Sequence, residues 1–197
     1  MTGCLIAFEG LDQSGKQTQA ESLQTVLAGA GRQCELLSFP DYDTSIGSEL
    51  HRALHGEREY TPDAMQLLYI ANRYEWKPRI DAWLAEGRVI LCDRYVASSI
   101  AYGEAQGLDP AWLADIQRFL PAADLTILLD IAPEIAARRK ASGRDRYERD
   151  LDLLTRVRQS YRSQATEARW LLVRADQPMD GVTATVREAV ASRLALL

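Results

Sequence analysis

The chain has 197 residues, 47% hydrophobic and 26% charged, with only 12 Gly and 7 Pro. That profile fits one soluble globular domain with a sizeable core and excludes disordered and collagen-like classes. The net charge of −5 argues against a nucleic-acid binder that works by phosphate neutralisation, and no run approaches the ~18 apolar residues of a membrane span.

In chain order, short apolar runs alternate with longer amphipathic segments. Cys4–Phe8 reads as a buried strand, followed by glycines and a helical pattern from about Gln17 to Ala30. Cys34–Phe39 is a second strand, stopped by Pro40. Helices are predicted over Ile46–Leu54 and Pro62–Ala85, the second with Thr61 as N-cap and Pro at its first position. Val89–Cys92 is a third strand, followed by helices over Val96–Glu104 and Pro110–Phe119. Leu125–Ile131 and Trp170–Arg174 complete the strands, and Pro133–Ala141, Asp150–Ala165 and Gly181–Leu196 the helices. Continuous apolar strands separated by helices indicate a parallel sheet covered on both faces, an α/β fold in one domain spanning 1–197. The polar stretch Ser142–Asp150 reads as a mobile loop within a short lid at about 138–150.

Cys4, Cys34 and Cys92 are an odd, widely spaced set. They read as free thiols in a reducing compartment, and with no basic-then-apolar leader pattern the expected location is the cytoplasm. Of the 23 basic residues only Lys16, Lys77 and Lys140 are lysines, and six basic residues crowd between Arg138 and Arg149.

After the first strand, Gly10-Leu11-Asp12-Gln13-Ser14-Gly15-Lys16 matches G-x-x-x-x-G-K. The glycines let backbone N–H groups curl around a phosphate, the next helix points its positive end there, and the lysine reaches the transferring group. Gly10, Gln13, Ser14, Gly15, Lys16, Gln17 and Thr18 are therefore the candidate ATP-phosphate site. The pattern calls for Ser or Thr after the lysine to ligate Mg²⁺, and here Gln17 stands there, which shifts weight onto Asp12 and Asp93 as metal holders.

Asp93-Arg94 follows the third strand, at the sheet's carboxyl end, where ligands of doubly wound folds bind. The aspartate suits Mg²⁺ or its waters and the arginine a second phosphate; read alone, the pair also suits a helix-capping surface pair. Tyr69 and Arg73 stand at i, i+4, a stacking ring and a planar donor suited to a pyrimidine base, or an ordinary helix stripe. Ser98, Ser99 and Tyr102 share the helix after Asp93.

Together these segments resemble the thymidylate kinases, a family of P-loop nucleoside monophosphate kinases, from Phe8 to Gln177. The resemblance rests on F-E-G-L-D-Q-S-G-K (Phe8–Lys16), F-P-D-Y (Phe39–Tyr42), L-L-Y-I-A-N-R-Y-E (Leu67–Glu75), D-R-Y-V-A-S-S-I-A-Y (Asp93–Tyr102) and the lid-like R-D-R-Y-E (Arg144–Glu148). It implies transfer of the γ-phosphate of ATP to dTMP, giving dTDP and ADP for dTTP synthesis, with Mg²⁺ as companion ion and a homodimer as assembly. It implies that Phe39, Pro40 and Tyr42 wall the acceptor pocket, that Tyr69 stacks on thymine and that Arg73 donates to a base oxygen. Arg94 would hold the monophosphate, with Ser98 and Ser99 near the base, Tyr102 crowding the sugar 2′ position and Tyr147 closing from the lid. Asp12, Asp93 and Glu148 are the implied metal ligands, and Arg139 and Gln177 the adenosine side.

The chain departs from the family at Gln17, at Gln13 where one branch carries a loop arginine, at Tyr42 where others put an arginine, and at Gly103 where many have Gln. With Gln13 neutral, the transition-state cation is expected from the lid, from Arg144 supported by Lys140. The alternatives are a kinase of another pyrimidine monophosphate, or a P-loop switch, whose N-K-x-D guanine signature is missing because no Asn precedes any lysine.

Overall fold

The computed structural model describes residues 3–140, 147, 150–166 and 168–196. Its elements are β1 (Cys4–Glu9), α1 (Lys16–Gly29), β2 (Cys34–Ser38), α2 (Ser45–Leu54), α3 (Pro62–Ala85), β3 (Val89–Asp93), α4 (Val96–Ala105), α5 (Pro110–Asp115), β4 (Leu125–Asp130), α6 (Pro133–Arg139), α7 (Leu151–Gln164), β5 (Trp170–Arg174) and α8 (Met179–Leu194). The five strands form one sheet in the order β2-β3-β1-β4-β5, every pair parallel.

Strand alternation sends the side chains of β1 to two cores. Ile6 and Phe8 join Leu23, Leu27, Leu91 and Ile127 on one face, while Leu5 and Ala7 join Ile80, Ile90 and Tyr95 on the other. β1 and β4 are buried along their whole length, and the edge strands β2 and β5 only in part. A small third cluster, Leu50, Ala53 and Met65, fixes α2 on α3.

Register positions the site. Phe8 pairs with Asp93, so the loop after β1 and the Asp93-Arg94 turn emerge side by side at the sheet's carboxyl end.

One local expectation is met with a different bond, and one is revised. Thr61 stands at the N-cap of α3, but its hydroxyl bonds the Asp63 carboxylate instead of a backbone N–H. α5 ends at Asp115 because the chain tightens into i→i−3 bonds, Gln117 N to Ala114 O and Arg118 N to Asp115 O. Of the expected lid, residues 141–146, 148 and 149 lie outside the described residues. Among those described, no helix is long and apolar enough to cross a membrane.

Candidate active site

The phosphate loop is built by backbone conformations that two glycines make possible. Gly10 (φ 137°) and Gly15 (φ 96°) lie in the left-handed region, and a Cβ on Gly10 would press on the Leu129 carbonyl. Gln13 adopts φ 63° without being glycine, a cost tolerated where function over-determines the backbone. Lys16, buried in the first turn of α1, folds back so that Nζ donates to Leu11 O at 3.0 Å. Burial and the nearby Arg94 charge pull its pKa down, with Asp12, Asp93 and Glu9 pushing back. The Ser14 hydroxyl is buried with no hydrogen-bond partner among the described residues, as expected of a loop shaped for something outside the protein.

Beside the loop, Arg94 leaves β3 at φ 65°. That turn carries its guanidinium to Asp12 Oδ1 at 2.8 Å, to Ser98 Oγ and Tyr161 Oη at 3.2 Å, and to Tyr102 Oη at 3.3 Å. Asp12 also lies 3.9 Å from Lys16 Nζ. Burial pushes the Asp12 carboxyl up, but Arg94 and Lys16 outweigh it and bring its pKa down to about 2. Burial likewise opposes the Arg94 charge, but Asp12, Tyr102, Tyr161 and Asp93 together more than offset it, so Arg94 titrates well above the usual arginine value.

Glu9 closes this network from below. It is fully buried, accepting from Tyr95 N (2.8 Å), Ser98 N (3.2 Å), Ser98 Oγ (2.6 Å) and Tyr161 Oη (3.1 Å). Both oxygens are satisfied, which is what a buried carboxyl group needs.

The far wall comes from α3 and α4. Arg73, 2% exposed, donates from Nη1 to Ser99 Oγ and Gln117 Oε1, both at 2.9 Å, and burial lowers its pKa. Asn72 holds the Asp41 backbone at 2.8 and 3.1 Å and so fixes the segment that presents Phe39, Pro40 and Tyr42. Tyr102 and Tyr147 meet edge to face at 6.0 Å.

These walls enclose a cavity of about 410 Å³. Of the residues anticipated from sequence, it brings together Asp12, Gln13, Lys16, Phe39, Pro40, Tyr42, Tyr69, Arg73, Asp93, Arg94, Ser98, Ser99, Tyr102 and Tyr147. Gln17 and Thr18 lie instead on the exposed face of α1, and Gln17 Nε2 donates to Glu21 at 2.8 Å. Arg139 stands behind the loop, bonding Gln13 O (3.0 Å) and Ala175 O (2.7 Å), and Gln177 follows β5 near Gly181. Arg144 and Glu148 lie outside the described residues.

A divalent cation fits one position here. Asp93 Oδ1 is buried without a hydrogen-bond partner among the described residues, and Asp12 is held ionised nearby. Among the described residues no group of three or more His, Cys, Asp or Glu side chains could hold a metal. Such a pair suits Mg²⁺, which takes one or two carboxylates and completes its shell with water and substrate phosphates.

A family model for thymidylate kinase matches residues 8–186. The chain belongs to the thymidylate kinase family. It is 35% identical over 188 residues to the thymidylate kinase of Arabidopsis thaliana, covering 95% of this chain and 71% of that protein. To the human thymidylate kinase it is 37% identical over 147 residues, 74% of this chain and 69% of the other. A solved thymidylate kinase structure from Candida albicans superposes with a TM-score of 0.88 at 31% identity, covering all of this chain and 94% of that one.

Within this family member, Ser38, Leu54 and His55 on the cavity wall went unassigned in the sequence, as did Glu9, Tyr161, Gln117 and Gln66. Glu9 carried a signal, a carboxylate at the end of an otherwise apolar strand. Tyr161 and Gln117 had none, since they reach Arg94 and Arg73 only through packing across 67 and 44 residues. Gln66 also lines the cavity and looks in sequence like any polar helix residue.

Proposed function

We propose that dTMP occupies this cavity with its base against Tyr69 and Arg73 and its phosphate on Arg94, and that ATP lies along the phosphate loop from Lys16 toward Arg139. The reaction is that of the family: the γ-phosphate of ATP passes to dTMP, giving dTDP and ADP. One observation supports the assignment of the two sides most strongly. Lys16 and Arg94 stand at 3.9 and 2.8 Å from the same ionised carboxylate, Asp12. A donor-phosphate cation and an acceptor-phosphate cation thus flank a single fixed group, which is what aligning two anionic substrates requires.

Phosphoryl transfer asks little proton chemistry of the protein, so catalysis rests on alignment and on neutralising the transferring oxygens. Lys16 leaves the Leu11 carbonyl for the donor phosphates, and the loop N–H groups hold them. Arg94 orients the attacking phosphate and Tyr102 fills the space beside the sugar. Asp93 and Asp12, with Glu148 from the lid, are the proposed holders of Mg²⁺, which would add positive charge at the phosphates. Arg144, supported by Lys140, is the proposed lid cation. A homodimer is part of the same reading by family resemblance, and a cytoplasmic location is supported by three unpaired thiols.

The test is ADP release with dTMP, dUMP, UMP, CMP and dGMP as acceptors. dTMP is expected to be among the best acceptors, with kcat/KM for UMP lower by about 100-fold. Equal use of UMP and dTMP would overturn the assignment of Tyr102 and the acceptor pocket.

A further inference from the structure

Gln66 has no part in the mechanism above, yet its setting is that of a recognition group. It is 1% exposed, lines the cavity, and its Oε1 is a buried acceptor with no hydrogen-bond partner among the described residues. Buried polar atoms are seldom left unpaired unless a ligand or water completes them.

The neighbouring helix α4 packs against it at Gly103. A Cβ on Gly103 would lie 3.4 Å from Gln66 Cγ and inside the Leu113 side chain. Glycine at 103 makes room for Leu113 and leaves Gln66 at ordinary contact distance, so the side chain that reaches this part of the wall comes from α3. On the same helix, seven residues on, Arg73 Nε is likewise buried with no partner among the described residues. Arg73 is anchored on Ser99, and Ser99 and Gly103 are one helical turn, about 5.4 Å, apart on α4. The wall thus offers an unpaired guanidinium nitrogen and an unpaired amide oxygen.

A pyrimidine-2,4-dione presents an acceptor at O4, a donor at N3–H and an acceptor at O2. A primary amide carries one acceptor and two donors and complements an adjacent donor–acceptor pair. We propose that Gln66 is a specificity-determining residue that accepts the N3–H of the acceptor base through Oε1 and turns its NH2 toward O2, beside Arg73 at O4. This rests on the cavity being the dTMP site. Cytosine would set an unprotonated N3 against the amide oxygen and an amino group against Arg73. Both contacts then fail together, which a site with buried polar groups punishes strongly.

The experiment uses dTMP and its N3-methyl analogue as acceptors, in steady-state kinetics of the full-length enzyme. The unmodified enzyme should use the N3-methyl analogue at least 50-fold less well in kcat/KM, roughly the loss expected of one unpaired buried group with a steric clash. Gln66→Met keeps the packing over Gly103 and should raise KM for dTMP about 10-fold with kcat within twofold. Gln66→Ala removes both the acceptor and the obstruction, and should shrink the preference for dTMP over the analogue at least 10-fold. Equal use of the two acceptors by the unmodified enzyme would overturn the proposal, and this needs no substitution that has to fold. An unchanged KM for Gln66→Met, or equal losses on both substrates for Gln66→Ala, would overturn it as well. Arg94→Met is measured alongside: if it leaves the KM for dTMP intact, the cavity reading itself has failed, whatever Gln66 does.

Discussion

The acceptor and donor halves of the site are built differently. On the acceptor side, Glu9 ends β1, Asn72 and Arg73 sit on α3, and Arg94 stands in the turn between β3 and α4, each locked by two or more partners at 2.6–3.3 Å. On the donor side, the loop relies on glycine backbone, Ser14 Oγ lacks a partner among the described residues, and Lys16 rests on a carbonyl of its own loop. The acceptor half holds its geometry before any ligand arrives, whereas the donor half completes its geometry with the ligand. Substitutions in the two halves should therefore fail in different ways.

Lys16→Ala should show the largest effect, a fall in kcat of about 1000-fold, the scale of losing one charge-stabilising group at a developing anion. Its melting temperature should stay within a few degrees, because Lys16 supports only its own loop. Turnover near that of the unmodified enzyme would break the contrast between the halves.

Glu9→Ala should fail by the opposite route. It leaves Tyr95 N, Ser98 N, Ser98 Oγ and Tyr161 Oη without their acceptor. A loss of about 3 kcal/mol is expected, or roughly 6–12 °C in Tm, measured by calorimetry. A Tm shift under 2 °C would show that the network beneath Arg94 is not what holds that half together.

Acid titration gives a smaller effect. The folded-state pKa of Asp12 is depressed to about 2, so its contribution is present above the unfolded value near 4 and is lost as pH falls from about 4 to 2. Because Asp12 is 36% exposed, solvent screening reduces this to about 1 kcal/mol. Urea unfolding across that window should be steeper in pH for the unmodified protein than for Asp12→Asn, and identical slopes would contradict the Arg94–Asp12 pairing.

Gln17→Thr should matter least. Gln17 bonds Glu21 on an exposed face, so kcat is expected to stay within threefold. A loss above 10-fold would give the donor half a side-chain contribution that the backbone account lacks.

Much of this was legible in the chain. The loop spacing, the strand-end Asp93-Arg94 and the Tyr69/Arg73 stripe are local patterns, and a parallel sheet brings strand ends together without further information. The parallel arrangement follows from the same apolar strands, while the order β2-β3-β1-β4-β5 was not legible and the edge strands β2 and β5 are buried only in part. What stayed hidden depends on packing between distant segments. Tyr161 reaches Glu9 across 152 residues, and no spacing announces it. Gln17 stood where the motif calls for Ser or Thr, and its side chain found Glu21 one turn along the exposed face. The early end of α5 was hidden because the apolar pattern continues past Asp115 while the backbone tightens.

The account's central claim is that the acceptor half binds its ligand independently of the donor half. Calorimetric titration of dTMP in the absence of ATP tests it most directly, on the unmodified enzyme, Lys16→Ala and Arg94→Met. The first two should bind within threefold of each other, and Arg94→Met should bind about 100-fold more weakly, the loss of a buried charge-assisted phosphate contact. Binding that weakens equally in Lys16→Ala and Arg94→Met, or that survives intact in Arg94→Met, would contradict it.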